Sequence, residues 1–164
     1  MPNSSLKVGE KSPDFNLPDA NGNLHNLAQY AGKWLVLYFY PKDDTPGCTA
    51  QACTFRDDLH QLEKLGATVV GVSVDGERSH AIFAKKYNLP FALLSDETGE
   101  VAKEYSALTD LGFFKIAKRY TFLIDPNGIL RKSYFSVDTS RHSQQIINDL
   151  IAFQYQKINA LTIN

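Results

Sequence analysis

The run Trp34-Leu35-Val36-Leu37-Tyr38-Phe39-Tyr40 carries no charge and is apolar or aromatic throughout. A strand with one wet face alternates apolar and polar residues; a run without alternation suits a central strand covered on both faces. Such a strand needs one packed layer above it and another below, which the chain must supply from its other elements. Pro41 stops the run, because proline has no amide hydrogen for a ladder. The next six residues, Lys42-Asp43-Asp44-Thr45-Pro46-Gly47, read as a loop.

The flanking sequence supplies the layers. Residues 14–30 place turn chemistry (Pro18, Asp19, Asn21, Gly22) between short apolar stretches, which predicts an N-terminal hairpin. From Cys48 the period becomes helical, with Phe55, Leu59, Leu62 and Leu65 at spacings of three and four and Gly66 at the C′ position. A second buried strand is predicted over 68–74, a helix over about 78–87, a short strand from Phe91 to Leu94 and a short helix from Gly99 to Tyr105. Tyr120 to Ile124 and Ile129 to Val137 are strands joined by Asp125-Pro126-Asn127-Gly128. A closing amphipathic helix spans roughly 141–157, with Ile146, Ile147, Leu150 and Ile151 on its apolar side. The sum is an α/β chain with a thioredoxin-like fold, a central mixed β-sheet flanked by helices and preceded by a β-hairpin. Its 164 residues are expected to form one domain, 1–164.

Charge and cysteine content narrow the function. A net charge of −1 gives no support to nucleic acid or an anionic membrane as the main partner. The first fifteen residues, MPNSSLKVGEKSPDF, contain no apolar run, so neither a secretory signal nor a membrane span is expected, and the cytosol is the default compartment. Two cysteines are too few for a disulfide scaffold in a chain this long. A close pair in a reducing compartment points to redox chemistry or to a metal.

The pair lies in Pro41-Lys42-Asp43-Asp44-Thr45-Pro46-Gly47-Cys48-Thr49-Ala50-Gln51-Ala52-Cys53. Cys48 falls at a strand-to-helix junction, where unpaired N–H groups and the positive end of the helix dipole favour a thiolate. Thr45, three residues earlier, is placed for its hydroxyl to touch the sulfur or an oxygen bound there. Pro41 and Pro46 restrict the loop and remove two donors.

The spacing Pro41, Thr45, Cys48 resembles the peroxiredoxin active site, Pro-x-x-x-Thr/Ser-x-x-Cys. Given one cysteine, Pro and Thr at those offsets coincide by chance about once in 400, so this match alone is moderate. The longer string Tyr38-Phe39-Tyr40-Pro41-Lys42 through Thr45-Pro46-Gly47-Cys48-Thr49, with a second cysteine five residues on, is similar to the bacterioferritin-comigratory, or Q-type, subgroup. Gly71-Val72-Ser73-Val74-Asp75, Leu93-Leu94-Ser95-Asp96 and Arg119-Tyr120-Thr121-Phe122-Leu123-Ile124-Asp125 resemble the family's strands. The similarity runs from about Val8 to Leu150. Two departures stand out. Residues 78–87 hold no cysteine, where some Q-type members carry one, and the stretch 106–118, with Phe113-Phe114, matches weakly.

The resemblance implies a thioredoxin-dependent peroxidase that reduces hydrogen peroxide and organic hydroperoxides. Cys48 would be the peroxidatic thiol and Cys53 the resolving one, closing an intrachain disulfide. Arg119 would stand at the sulfur, Thr45 beside the peroxide, and Pro41 would limit water access. A dithiol such as thioredoxin would be the reductant, with no metal, flavin or haem. A monomer is expected, on the grounds that no exposed apolar element forces a dimer and an intrachain pair does not require one. On one regular helix the two Cα atoms would lie about 8.6 Å apart, beyond the roughly 7 Å a disulfide spans, so oxidation should unwind residues 48–53.

Other readings are weaker. Both cysteines could be small core residues. Zinc needs four ligands, and His25, His60, His80 and His142 are scattered, read as surface or satisfied histidines. A disulfide reductase would want C-x-x-C. A binding or disulfide-exchange module of the same fold, without peroxidase activity, would consume no peroxide. Asp43-Asp44 reads as loop solvation and Arg56 as a solvated helix residue.

Overall fold

The structure, a computed structural model, describes residues 6–162. A hairpin of β1 (Asn16–Pro18) and β2 (Leu24–Asn26) leads through a 3-10 turn (Leu27–Tyr30) to β3 (Trp34–Phe39). Then come α1 (Pro46–Lys64), β4 (Ala67–Ser73), α2 (Glu77–Tyr87), β5 (Ala92–Ser95) and α3 (Glu100–Glu104). A second hairpin, β6 (Leu108–Asp110) and β7 (Lys115–Ala117), precedes β8 (Thr121–Ile124), β9 (Leu130–Tyr134) and α4 (His142–Thr162).

The main sheet has the order β5-β4-β3-β8-β9, with β3 in the middle. Strands β3, β4 and β5 are parallel, while β8 and β9 are antiparallel to their neighbours. The pleat sends alternate residues of β3 to opposite faces. Leu35, Leu37 and Phe39 join a core with Phe15, Leu17, Ala102, Tyr105 and Phe122, under the N-terminal hairpin and α3. Val36, Tyr38 and Tyr40 join the other core with Phe55, Leu62, Phe83, Ile146 and Leu150, under α1, α2 and α4. All six of these β3 and Tyr40 side chains are at most 1% exposed, as a two-faced central strand requires. Gly71, paired with Tyr38 across the ladder, leaves room for its ring: an added Cβ would lie 2.8 Å from Tyr38 Cζ.

The differences from the expected elements have physical causes. Helix α1 begins two residues before Cys48, because Pro46 suits the first helical position. Gly66 takes φ 76° after the C-cap Leu65, as a C′ glycine does. Helix α4 runs five residues past the expected end, and Ile151 is 50% exposed, off the buried stripe of Ile146, Ile147 and Leu150. Segment 106–118 holds the β6–β7 hairpin, whose three-residue strands are too short to show a period. Its turn exposes Leu111 and Phe114 and leaves Phe113 92% exposed. Among the described residues, no helix is long and apolar enough to cross a membrane.

The parallel register brings the ends of β3, β4 and β5 to one edge, and β8 starts there. Tyr40 N donates to Val72 O, Phe39 N to Tyr120 O, and Asp96 N to Ser73 O. Loops leaving three strands thus converge with the loop entering a fourth, the usual place for a site in such sheets.

His142 opens α4 and is buried, with Nε2 2.8 Å from Thr121 Oγ1 and Nδ1 3.2 Å from Gln145 Oε1. Burial pushes its imidazole down to about 4, and the helix N-terminus also opposes a cation. An unfolded histidine titrates near 6.5, so the unfolded chain takes up this proton first as pH falls. Stability from His142 is intact above about 6.5 and is lost progressively down to about 4. Between pH 7 and 5 the wild type should lose about 2 kcal/mol more than His142→Gln in urea unfolding. Equal losses would remove His142 from this account.

Candidate active site

Cys48 is the third residue of α1 and 1% exposed. The helix begins at N-cap Thr45, whose backbone is extended (φ −99°, ψ 156°) and whose side chain makes no capping bond. Pro46 has no N–H, and the first intrahelical donor is Thr49, to Thr45 O at 2.8 Å. The Gly47 and Cys48 N–H groups therefore belong to the unpaired first turn. That turn carries no acidic residue, so its positive end is not neutralised from within the helix.

Arg119 reaches this turn from the residues just before β8. Its Nη2 donates to Cys48 Sγ at 3.2 Å, and its Nη1 donates to Gln51 Oε1 at 2.8 Å. The guanidinium is held by two groups on one helix face, since residues three apart are neighbours there. Gly47 makes space for it: a Cβ at that position would stand 3.0 Å from Arg119 Nη2. The structure thus brings Cys48 and Arg119 together. It adds Gln51, fully buried, which sequence reasoning missed. The available signal was its place one turn beyond the cysteine.

Of the two contacts expected for Thr45, to the sulfur or to an oxygen bound there, the first is not made. Its hydroxyl donates to Lys42 O at 2.9 Å, not to the sulfur. With the hydrogen engaged there, the oxygen has lone pairs to offer and no proton. Pro41 is half-buried at the start of the loop. Cys53 is half-buried within the same continuous helix as Cys48, and both cysteines are free thiols.

Of the consecutive aspartates, Asp44 is exposed, as a solvated loop residue is, and Asp43 is not. Asp43 is buried, and its carboxylate accepts from Tyr40 OH at 2.6 Å, Ser79 Oγ at 2.8 Å and His80 Nδ1 at 2.7 Å. Asp44, in a left-handed backbone (φ 57°), accepts from Lys86 Nζ at 2.8 Å and Tyr87 OH at 2.9 Å. Those hydrogen bonds hold its carboxyl below the usual range, Lys86 first. The two residues fasten the loop to both ends of α2. Arg56 is likewise tied down: Nη1 donates to Tyr87 O at 2.7 Å and Nε to Asp57 Oδ1 at 2.9 Å. His25, His80 and His142 are hydrogen-bonded and His60 is exposed, in line with the reading of satisfied or surface histidines. Asp43, Asp75 and His80 each bring a possible metal-ligand atom within 4.8 Å of the others. Hydrogen bonds already engage them: His80 Nδ1 with the Asp43 carboxylate, and Asp43 N, which donates to Asp75 Oδ2 at 2.8 Å.

This geometry can be set beside known proteins. The AhpC/TSA family model matches residues 8–133. A peroxiredoxin bcp of Coxiella burnetii is 43% identical over 150 residues, covering 89% of this chain and 99% of the relative. A chloroplastic peroxiredoxin Q of Sedum lineare is 48% identical over 131 residues, 80% of this chain and 70% of its own length. The solved bacterioferritin comigratory protein of Xanthomonas campestris, described for alkyl peroxide reduction, superposes with a TM-score of 0.80. It is 30% identical and the match covers 92% of this chain and 99% of that one. With a buried thiol under a guanidinium at a helix start, and with relatives matched along most of its length, the chain belongs to the AhpC/TSA family of peroxiredoxins, thiol peroxidases that draw their electrons from a thiol reductant.

Proposed function

We propose that Cys48 is the peroxidatic thiol, with Arg119, Thr45, Pro41 and the Cys48 backbone N–H around it, and that Cys53 resolves the oxidised form. The observation that carries this reading is the bond from Arg119 Nη2 to Cys48 Sγ. In the first step the Cys48 thiolate attacks the terminal oxygen of ROOH. The O–O bond breaks, sulfur is oxidised to the sulfenic acid, and RO⁻ leaves and is protonated to ROH. Arg119 and the Cys48 N–H supply donors for the charge that develops on the leaving oxygen. Thr45, its own proton given to Lys42 O, accepts from the O–H of the attacked oxygen and so holds the peroxide in line.

In the second step Cys53 condenses with the sulfenic acid, releasing water and forming the disulfide. Exchange with a dithiol, thioredoxin by preference, restores both thiols. Hydrogen peroxide and organic hydroperoxides are the substrates in this scheme; the description of alkyl peroxide reduction for the Xanthomonas relative supports the second group. The proposed setting is the reducing cytosol.

Cys48→Ser should abolish peroxide turnover, read as peroxide consumed with thioredoxin and its reductase; more than a few per cent remaining would name another nucleophile. Arg119→Ala should slow the peroxide step by about 10²–10³-fold, the loss of one charged transition-state donor. Arg119→Lys should recover part of it, because an ammonium lacks the guanidinium fork. An unchanged rate for the alanine variant would take Arg119 out of the site.

Cys53→Ser should consume one equivalent of peroxide and then stall, with the sulfenic acid trapped by a dimedone-type reagent. Undiminished cycling would mean another resolving thiol. In the wild type, one equivalent of hydrogen peroxide should remove about two mass units as the two thiols lose their hydrogens. Because ideal helix geometry sets the Cα atoms about 8.6 Å apart, amide exchange over 48–54 should quicken on oxidation. Equal protection in both forms, with the disulfide confirmed by mass, would show that the helix does not open.

A further inference from the structure

The loop that carries Thr45 is aimed by groups that take no part in the chemistry above. The peptide unit between Lys42 and Asp43 is held at both ends. Its N–H, on Asp43, donates to Asp75 Oδ2 at 2.8 Å. Its carbonyl, on Lys42, accepts the Thr45 hydroxyl at 2.9 Å. A peptide group is planar, with N–H and C=O on opposite sides, so fixing one direction fixes the other. Asp75 thereby sets where Lys42 O points, and Lys42 O sets where Thr45 directs its proton.

Asp75 is itself aimed. Ser73, the last residue of β4, donates from Oγ to Asp75 Oδ2 at 2.7 Å and accepts from Asp75 N at 3.1 Å. On the other side of the same peptide, the Asp43 carboxylate is gripped by Tyr40, Ser79 and His80. His80 is fully buried and its Nε2 faces Leu94 O at 3.0 Å, at the end of β5. The ends of three parallel strands thus converge on one peptide of the loop. The left-handed backbone of Asp44 comes directly after it, a strained position that persists when its surroundings determine it.

We propose that Asp75 and His80 are positioning residues for the peroxide reaction. Through the Lys42–Asp43 peptide they commit the Thr45 proton to Lys42 O and turn the Thr45 lone pairs toward the substrate. This rests on the role given to Thr45 above.

The test compares two reactions of Cys48: the first-turnover rate with hydrogen peroxide, and alkylation by iodoacetamide, which needs the thiolate but not Thr45. Asp75→Ala should lower the peroxide rate by about 10-fold or more, as small misplacements of a positioning group do, while alkylation stays within about 2-fold. Asp75→Asn should recover most of the loss, since its amide oxygen can still accept from Asp43 N. His80→Leu should repeat the alanine pattern and His80→Asn relieve it, its amide N–H lying where Nδ1 lies; this pair serves if Asp75→Ala does not fold. In a Thr45→Val background, Asp75→Ala should add less than about 2-fold, because the group it positions is gone. A peroxide rate unchanged by Asp75→Ala and His80→Leu would overturn the proposal, as would a full additional loss in the Thr45→Val background or a parallel fall in alkylation. If Thr45→Val alone leaves the peroxide rate unchanged, the role of Thr45 fails and this inference fails with it. If Thr45→Val is slow but the Asp75 and His80 variants are not, this inference alone fails.

Discussion

Burial of β3 on both faces governs where the reactive thiol can stand. With Leu35, Leu37 and Phe39 committed to one core and Val36, Tyr38 and Tyr40 to the other, the strand has no freedom to slip or roll. The chain must leave it at Tyr40, and Pro41 prevents the ladder from continuing. Helix α1 packs back on the sheet through Ala52, Phe55 and Leu62, all fully buried, so its first turn is fixed over the end of the strand. Neighbouring β8 pairs with β3 in antiparallel register, Tyr38 opposite Thr121, and this carries Arg119 to the same edge. The contact between guanidinium and sulfur is thus a consequence of strand register.

A rigid first turn suits attack on a peroxide and opposes closure of the disulfide. The donors must be in place before the O–O bond breaks, and an intact helix supplies them. The same intact helix keeps Cys48 and Cys53 too far apart to join. In the proposed cycle a local opening of the first turns would resolve the conflict, and the packing bears on which turns would open. Phe55 lies in the core and Arg56 is bonded to Tyr87 O at the end of α2, so the helix is anchored from there onward. The turns before it are held by burial of Gln51 and Ala52 and by the Arg119 bonds to Cys48 and Gln51, contacts that an opening would have to release. Each backbone bond given up costs about 1 kcal/mol net, a sum that disulfide formation can exceed.

The two aspartates show how one loop serves both demands. Asp44 faces solvent, and its bonds to Lys86 and Tyr87 lie where salt and water weaken them. Asp43 lies inside, where an unpaired carboxylate would be expensive and a paired one directs its neighbours. In the proposed opening the outer tether would be the one to yield, and the inner network would restore the loop afterwards.

Much of this was legible in the chain itself. An uninterrupted apolar run identifies a central strand without any coordinates, because only double burial tolerates seven such residues. The N-terminal hairpin, the Gly66 stop and the alternation of strands with helices come from turn chemistry and periodicity. Pro41, Thr45, Cys48 and Cys53 lie within thirteen residues, so one local motif could mark them together. Arg119 came from resemblance, being 71 residues from its sulfur. What only the tertiary structure decided concerns partners distant in sequence. Asp43 meets Asp75 and His80 32 and 37 residues on, and nothing local separates a buried aspartate from a wet one. The β6–β7 hairpin is three residues a side, below the length at which a period exists. The Thr45 hydroxyl donates to Lys42 O, on a peptide whose N–H is bonded to Asp75, and that bond exists only because folding brings the strand ends together.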